Sequence, residues 1–223
     1  MELWIADLRA LGLDASLEQM LASLSAEERE KALRFVHRED RLRFATGRMM
    51  IRAQAAKELG RSDAPLRFGA YGKPRFAMEG APCFNLSHAG RLVVLAWAEC
   101  PVGVDVEERR PLDWRELAFP FSDAERAMLE ASDCPLECFY RLWTVREAFA
   151  KEEGIGLSLF DRGAIEYGGE TIRFQGKTLR YRTWEFPEYT LSLCAERLEN
   201  VQPRWLTREE WLRYGKLAGI FTC

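Results

Sequence analysis

The sequence predicts an α+β protein made of two similar lobes. Each half contains one long helical pattern and a β-rich stretch that ends in a strong apolar strand, at residues 92–98 in the first half and 189–194 in the second. Residue identity between the halves is too low to establish a duplication. We therefore expect an N-terminal lobe of residues 1–102 and a C-terminal lobe of residues 103–223.

The composition is that of a folded protein with a substantial core. Of 223 residues, 48% are hydrophobic and 30% are charged, and the net charge is −3, so the chain lacks the composition of a disordered protein. A pI of about 5.7 gives no reason to expect nucleic-acid binding, and any basic site must be local.

No targeting or membrane segment is visible, because acids interrupt the first 25 residues and no apolar run approaches the ~18 residues that a spanning helix needs. The six cysteines are scattered and only two histidines are present, which argues against a zinc site and for reduced thiols. We expect a cytoplasmic monomer that binds neither nucleic acid nor membrane.

The first half is predicted to begin with a strand at residues 2–8. A capping box follows, with Ser25 as the N-cap residue and Glu28 three positions later. The main helix of this half is predicted at residues 39–59, because small and apolar side chains recur at steps of three and four and Gly60 supplies a stop signal. A separate basic stripe on this helix carries Arg41, Arg48 and Arg52.

The remaining helices and strands are predicted from the same kinds of pattern, namely capping residues, glycine stops and hydrophobic periodicity. Ser87 and His88 are placed in a turn before a buried strand, and Ser122 and the segment from Thr207 to Glu210 have the pattern of helix N-caps. The second long helix should end at the glycines of Gly154-Ile-Gly156. The predicted strands are 83–86, 92–98, 103–107, 171–185 and 189–196, and the predicted helices of this part are 123–129 and 136–153.

Two acids share one face of a predicted strand. In Gly103-Val-Asp-Val-Glu107, the period of two places Asp105 and Glu107 together, opposite the two valines. This pattern is typical of an amphipathic strand with a solvated acidic face. It also fits two oxygen ligands for Mg²⁺, which commonly takes one or two carboxylates.

A third acid lies on the second long helix. Glu147 and Lys151 are four residues apart and stack on one helical face. A surface ion pair explains this spacing, but the aromatic neighbours Trp143 and Phe149 disfavour a fully exposed face. The alternative is a carboxylate and an ammonium that hold a metal ion and a phosphate side by side.

Several basic and polar residues are candidates for phosphate contacts, although each has an ordinary structural explanation. His88 has small neighbours that leave room for a ligand, whereas a lone histidine is more often structural. Lys73 lies in a rigid Gly-x-Pro turn, and Lys31 and Arg43 flank the start of the first long helix, where they can equally be solvated charges.

Taken in order, these segments resemble the surfactin-synthetase-activating class of 4′-phosphopantetheinyl transferases. The resemblance covers about residues 1–200 and includes the region around residues 34–52. Five ordered motifs at family-like spacing are far more specific than any one of them. They are Tyr71-Gly-Lys-Pro, Phe84-Asn-Leu-Ser-His-Ala-Gly, Gly103-Val-Asp-Val-Glu, Phe121-Ser-Asp-Ala-Glu and Trp143-Thr-Val-Arg-Glu-Ala-Phe-Ala-Lys.

The resemblance implies two pseudo-symmetric lobes, each a small, largely antiparallel sheet packed on a long helix, with the active site in the cleft between them. It implies transfer of 4′-phosphopantetheine from coenzyme A to a serine of an apo acyl or peptidyl carrier protein, with release of 3′,5′-ADP and dependence on Mg²⁺, or on Mn²⁺ in its place. The implied metal ligands are Asp105, Glu107 and Glu147. The implied coenzyme A contacts are Lys31, Arg43, Lys73, Ser87, His88 and Lys151, and the implied catalytic residues are Glu147 and Lys151.

Three positions depart from the family pattern. Arg146 replaces a lysine in the Trp-x-x-Lys-Glu motif, which keeps the charge and changes the donor geometry. Glu28 stands where a close family member has a second lysine for the 3′-phosphate, and Phe44 replaces a small hydroxyl residue beside the adenosine.

Two other functions use the same residues. A Mg²⁺-dependent nucleotide pyrophosphate hydrolase would need a similar set of acids and cations, although usually with a denser acidic cluster on one helix. A non-catalytic coenzyme A-binding module would not need the full set of carboxylates and Lys151. The apolar stretch of Leu117, Phe119 and Phe121 is either a carrier-docking surface or core.

Overall fold

The computed structural model describes residues 1–118, 120–155 and 165–220. Helices and small sheets both contribute, as the sequence predicts. The helices are α1 Leu17–Ser23, α2 Ala26–Leu33, α3 Arg38–Leu59, α4 Trp114–Leu117, α5 Asp123–Glu130, α6 Pro135–Glu153 and α7 Arg208–Leu217, and Leu13–Ser16 forms a short 3₁₀ helix. The strands are β1 Glu2–Asp7, β2 Leu66–Phe68, β3 Pro74–Phe76, β4 Cys83–Ala89, β5 Leu92–Ala98, β6 Val102–Glu108, β7 Glu166–Gly168, β8 Thr171–Phe174, β9 Lys177–Glu185, β10 Tyr189–Ala195 and β11 Pro203–Trp205.

The two long helices end where the sequence predicts. Gly60 after α3 and Gly154 after α6 both adopt left-handed backbone conformations, with φ of 69° and 71°, which a glycine adopts without a steric penalty. The predicted capping boxes at Ser25 and Thr207 are present. Ser122 also begins α5 with a full capping box, in which the acid is Glu125.

The strands form two main sheets that are largely antiparallel. The first has the order β11-β1-β5-β4, and the second has the order β6-β10-β9-β8-β7, while β2 and β3 make a separate hairpin. Only β1 and β11 pair in parallel among the described strands. This arrangement confirms the predicted α+β fold with two small, largely antiparallel sheets.

The sheets pack back to back between the long helices. Because strand side chains alternate, Leu3 and Ile5 of β1 enter a core shared with Val104 and Leu191 of the second sheet. Trp4 and the opposite faces of β4 and β5 pack on α3, whereas α6 packs on the far face of the second sheet. The layers therefore run α3, first sheet, second sheet, α6.

Three details differ from the sequence prediction. The predicted strand 171–185 is a hairpin of β8 and β9, in which Gln175 and Gly176 turn the chain with φ of 48° and 83°. Strand β4 continues to Ala89, so that Ser87 and His88 lie in the strand and the turn falls at Gly90.

The C-terminal segment also crosses between the predicted lobes. Strand β11 pairs with β1, and Trp211 and Tyr214 of α7 pack in the core formed by α3 and the first sheet. The tail of the predicted lobe 103–223 therefore completes the first sheet. No helix in the described part of the chain combines the length and the apolarity that a bilayer crossing requires.

Candidate active site

Of the predicted site residues, Ser87, Asp105 and Lys151 meet where the edge strands of the two sheets lie side by side. Two polar side chains of β4 accept hydrogen bonds from backbone N–H groups of β6: Val104 donates to Asn85 Oδ1 at 2.8 Å and Val106 donates to Ser87 Oγ at 3.2 Å. These contacts satisfy a strand edge that is buried from water. They also hold Ser87 beside the acidic face of β6.

Helix α6 approaches β6 so closely that only glycine fits at the crossing. A Cβ atom on Gly103 would lie 1.9 Å from the Ala148 carbonyl oxygen and 2.4 Å from the Glu152 nitrogen, both of them backbone atoms. This close approach places the helical face that carries Glu147 and Lys151 directly over the strand.

Three side chains form a connected polar cluster at this crossing. Lys151 Nζ lies 2.6 Å from Asp105 Oδ1 and donates to Ser87 Oγ at 3.1 Å, and Ser87 Oγ donates to Asp105 Oδ1 at 2.9 Å. Asp105 is only 3% exposed. Its second oxygen, Oδ2, is buried and has no hydrogen-bond partner among the described residues.

The other two acids lie in the same electrostatic neighbourhood. Burial and the charges of Asp105 and Glu147 raise the pKa of Glu107 to about 7, although Lys151 opposes the shift. Burial and Asp105 likewise raise the pKa of Glu147. Burial by itself would lower the pKa of Lys151, but attraction to Asp105 and to both glutamates raises it overall, so the ammonium stays charged.

The cluster has three carboxylates and one ammonium, so Lys151 cannot neutralise all of its negative charge. The three carboxylates do not lie at the spacing of a metal site. Among residues 1–118, 120–155 and 165–220, no group of three or more Asp, Glu, His or Cys side chains stands at metal-binding spacing. Lys151 donates to Asp105 Oδ1, which leaves Oδ2 as the oxygen of Asp105 without a hydrogen-bond partner among the described residues. The proposed ligation by Asp105, Glu107 and Glu147 stays a prediction.

Arg43 and His88 border this cluster. Arg43 donates to the Gly90 carbonyl oxygen at 2.6 Å and pairs with Asp40 at 2.5 Å. Partial burial of the His88 imidazole, together with the positive charges of Arg43 and Lys151, lowers its pKa. His88 is therefore neutral at physiological pH and suited to hydrogen bonding.

Lys73 and Lys31 lie outside the cluster of Ser87, Asp105 and Lys151. Lys73 Nζ donates to the backbone carbonyls of Val102 and Glu152, at 3.1 and 2.9 Å, and burial lowers its pKa. It ties the hairpin of β2 and β3 to the end of α6. Lys31 is exposed and lines a separate cleft between α2, α3 and that hairpin. The roles predicted for both lysines as coenzyme A contacts stay predictions.

The sequence analysis missed the partner of Arg146. Arg146 Nη1 donates to Glu125 Oε2 at 2.6 Å, and the two side chains are only 2% and 1% exposed. The available signal was the four-residue spacing of Glu125 and Leu129, which places the acid on the buried stripe of α5. Arg146 is therefore an internal anchor of α6.

Comparisons with known proteins identify the family of this chain. The sequence model described as the 4′-phosphopantetheinyl transferase superfamily matches residues 101–194, and the one described as 4′-phosphopantetheinyl transferase, N-terminal, matches residues 13–100. A 4′-phosphopantetheinyl transferase of Bacillus subtilis is 41% identical over 80% of this chain and 84% of the relative. The 4′-phosphopantetheinyl transferase Sfp of Bacillus subtilis strain 168 is 36% identical over the same shares of the two chains. With both halves matched in order and relatives of this identity and coverage, the chain belongs to the 4′-phosphopantetheinyl transferase family and is an enzyme of that type.

Proposed function

We propose that this enzyme transfers the 4′-phosphopantetheine group of coenzyme A to a serine hydroxyl of an apo acyl or peptidyl carrier protein, with Mg²⁺ bound, and releases 3′,5′-ADP. The observation that carries the proposal is the pair of partly buried Lys151 and buried Asp105, in which Asp105 Oδ2 has no partner among the described residues. A buried carboxylate oxygen without a partner costs free energy unless a ligand completes it.

The donor set fits a hard divalent cation. Three carboxylates surround the junction, and burial, followed by the negative charge of neighbouring carboxylates, raises the pKa values of Glu107 and Glu147. Asp105, Glu107 and Glu147 would hold Mg²⁺, which prefers carboxylate oxygens and octahedral coordination. When bound, the ion would neutralise the pyrophosphate of the substrate and the charge that develops on its bridging oxygen.

Lys151 is placed to stabilise the phosphate that reacts. An ammonium has three N–H donors, and two of them point to Asp105 and Ser87. The third is left for a phosphate oxygen of the substrate. Because the pKa of Lys151 is raised, this donor keeps its full charge throughout the reaction.

Glu147 is the candidate general base. Its raised pKa makes it a stronger base at neutral pH than an ordinary glutamate. In the proposed step, Glu147 accepts the proton of the carrier serine while the serine oxygen attacks the β-phosphorus. A new O–P bond forms, the bridging P–O bond breaks, and 3′,5′-ADP leaves with the bridging oxygen and its electron pair.

Arg43 and His88 would orient the substrate phosphates. Arg43 lies beside the turn that follows β4. Neutral His88 can donate one N–H without adding charge. Ser87, which is hydrogen-bonded within the cluster, would contact the same region and keep Lys151 in place.

The residues of the predicted carrier-docking stretch differ in how exposed they are. Phe121 is 2% exposed and packs against Phe139, so it belongs to the core. Leu117 is 42% exposed and is available to a partner. Phe119 lies outside the described residues.

Intact-mass spectrometry of a panel of apo carrier proteins tests the proposal. With coenzyme A and Mg²⁺, we expect at least one carrier to gain the mass of one phosphopantetheine, and a Ser→Ala carrier to gain none. A pyrophosphate hydrolase would release 3′,5′-ADP from coenzyme A without any carrier, and a binding module would release none in either case. Either of these outcomes would contradict the proposal.

A further inference from the structure

A buried tyrosine of the second sheet contacts the turn between β4 and β5 of the first sheet. Tyr189 begins β10 and is only 2% exposed. The backbone N–H of Arg91 donates to its hydroxyl oxygen at 3.2 Å, and the hydroxyl donates to Glu108 Oε1 at 3.3 Å. Burial raises the pKa of Tyr189, so the hydroxyl stays protonated and acts as acceptor and donor at once. The second sheet therefore holds a backbone group of the first.

The turn approaches Tyr189 closely because it contains a glycine. We name it the Gly90 turn, and it consists of Gly90 and Arg91, between the end of β4 and the start of β5. The φ of Gly90 is 50°, and a Cβ atom there would lie 2.6 Å from the Tyr189 hydroxyl oxygen and 2.8 Å from Glu108 Cδ. Any larger residue would push the turn and the tyrosine apart.

The peptide unit that Tyr189 holds also holds Arg43. The carbonyl of Gly90 and the N–H of Arg91 belong to one planar peptide bond. Arg43 Nη1 donates to that carbonyl oxygen at 2.6 Å. Hydrogen bonds in such a chain polarise one another, so the bond at the N–H strengthens the carbonyl as an acceptor. Tyr189 and Arg43 thus contact opposite ends of the same rigid group.

The guanidinium of Arg43 is fixed from two sides and still has donors to offer. Its Nη2 pairs with Asp40 at 2.5 Å, and its side chain is 18% exposed. Among the described residues, the bonds to Asp40 and to the Gly90 carbonyl engage two of the five guanidinium N–H donors. The remaining donors can bind a phosphate, and their direction depends on the two bonds already made.

We propose that Tyr189 is a positioning residue for coenzyme A binding: its hydroxyl fixes the peptide of the Gly90 turn, and that peptide fixes the guanidinium of Arg43. This inference rests on the proposed function, in which Arg43 orients the substrate phosphates. Because Tyr189 is buried, its hydroxyl acts on the substrate only through these neighbours. Without the hydroxyl, the peptide and the guanidinium would sample other orientations and bind a phosphate more weakly.

Calorimetric titration of coenzyme A in the presence of Mg²⁺, without a carrier, tests this proposal. Tyr189→Phe removes the hydroxyl and keeps the buried ring, whose centroid lies 5.4 Å from the Arg91 guanidinium carbon. We expect the Kd of coenzyme A to rise about twofold to tenfold, the range for one lost neutral hydrogen bond. In the carrier assay, kcat at saturating coenzyme A should stay within about twofold of wild type, because Lys151 and Asp105 are unchanged.

A double-mutant cycle separates this positioning role from a general structural one. In an Arg43→Gln background, Tyr189→Phe should cause no further loss of affinity, because the group through which it acts is gone. Tyr181→Phe is the matched control. It also removes a hydrogen-bonded hydroxyl from the second sheet, but that hydroxyl donates to the Gly169 carbonyl oxygen at 2.9 Å, at the edge opposite β6. It should bind coenzyme A like wild type.

Wild-type affinity in Tyr189→Phe would overturn the inference, and so would additive losses from Tyr189→Phe and Arg43→Gln or an equal loss in Tyr181→Phe. If Tyr189→Phe fails to fold, Gly90→Ala separates the same two groups from the side of the turn, and its loss of affinity should likewise vanish in the Arg43→Gln background. Wild type that modifies a carrier while Tyr189→Phe binds coenzyme A equally tightly contradicts the inference alone. Wild type that binds coenzyme A but modifies no carrier contradicts the proposed function instead.

Discussion

Helix α6 carries two buried or partly buried ion pairs with the same 2.6 Å separation, and they differ in how completely their polar atoms are satisfied. In the first, Glu125 accepts from Arg146, from Ser122 and from the Tyr167 hydroxyl, and Arg146 also donates to the Pro120 carbonyl. In the second, Lys151 is 30% exposed and Asp105 Oδ2 has no partner among the described residues.

We interpret this difference as the one between a structural ion pair and a functional one. A buried ion pair needs further hydrogen bonds to offset its desolvation, and the pair of Arg146 and Glu125 has them. The pair of Lys151 and Asp105 is incomplete, because Asp105 Oδ2 has no hydrogen-bond partner among the described residues. We infer that substrate and metal complete the second pair, whereas the first anchors the helix on which the second is built.

The largest effect is expected at Asp105. Asp105→Ala removes the central carboxylate of the incomplete pair together with one proposed metal ligand, and carrier modification should be abolished, since the loss of a single group placed for a transition state already costs about 10²–10³-fold. Excess Mg²⁺ should give little rescue. Intact-mass assays of carrier modification measure this rate, and wild-type turnover in the variant would reject the metal assignment.

Breaking the ion pair of Arg146 and Glu125 should lower the free energy of unfolding. Arg146→Ala leaves Glu125 charged and buried, which typically costs about 3–5 kcal/mol in the free energy of unfolding. Urea denaturation of the variant and of wild type measures this difference. A loss below about 1 kcal/mol would show that the pair is not the anchor of α6.

Lys151 should show the opposite behaviour to Arg146. Lys151→Ala should lower kcat by about 10²–10³-fold and raise KM less, because its ammonium is placed for the phosphate that reacts. Steady-state kinetics over a range of coenzyme A concentrations separate the two constants. If only KM changed, Lys151 would be a binding residue.

The smallest expected effect is a pH-dependent response to metal. The folded-state pKa of Glu107 is raised to about 7 in the metal-free protein, so its contribution to stability is present at low pH and is lost as pH rises from about 4.5 to about 7. Mg²⁺ binds the ionised carboxylate and should restore stability, so the rise in Tm on adding Mg²⁺ should be larger at pH 8 than at pH 6.

Differential scanning fluorimetry with EDTA or Mg²⁺ at the two pH values checks this response. Each kcal/mol corresponds to about 2–4 °C for a protein of this size. Glu107→Gln should reduce the difference between the two pH values. An identical Mg²⁺ response at pH 6 and pH 8 in wild type would contradict the assignment of Glu107 as a ligand.

The sequence predicts much of the fold, since periodic runs with glycine stops define α3 and α6, and a continuous apolar run defines β5, almost to the residue. Its errors arise where tertiary contacts decide. Ser87 and His88 look like turn residues, but pairing with β5 extends β4 through both of them. A positive φ is not expected for a glutamine such as Gln175, so the sequence predicts one strand where the structure has the hairpin of β8 and β9.

The candidate site likewise has features that local patterns predict and features that depend on tertiary contacts. A period of two aligns Asp105 with Glu107, and a period of four aligns Glu147 with Lys151, so local spacing alone selects the acids and the ammonium. That Lys151 bonds to Asp105 depends on the close approach of α6 at Gly103, which local spacing does not reveal. Burial of Arg48 against Glu28 is likewise a contact between two helices, and the predicted basic stripe on α3 did not foresee it.

A calorimetric titration of Mg²⁺ into the enzyme with coenzyme A bound, in the absence of carrier, tests the central claim most directly. We predict one Mg²⁺ per chain in wild type, at least about tenfold weaker binding in Asp105→Asn, and wild-type affinity in Glu153→Gln, which alters an acid of α6 that pairs with Lys177. Equal Mg²⁺ affinity in wild type and Asp105→Asn would contradict the claim that the incomplete pair of Lys151 and Asp105 is the metal site.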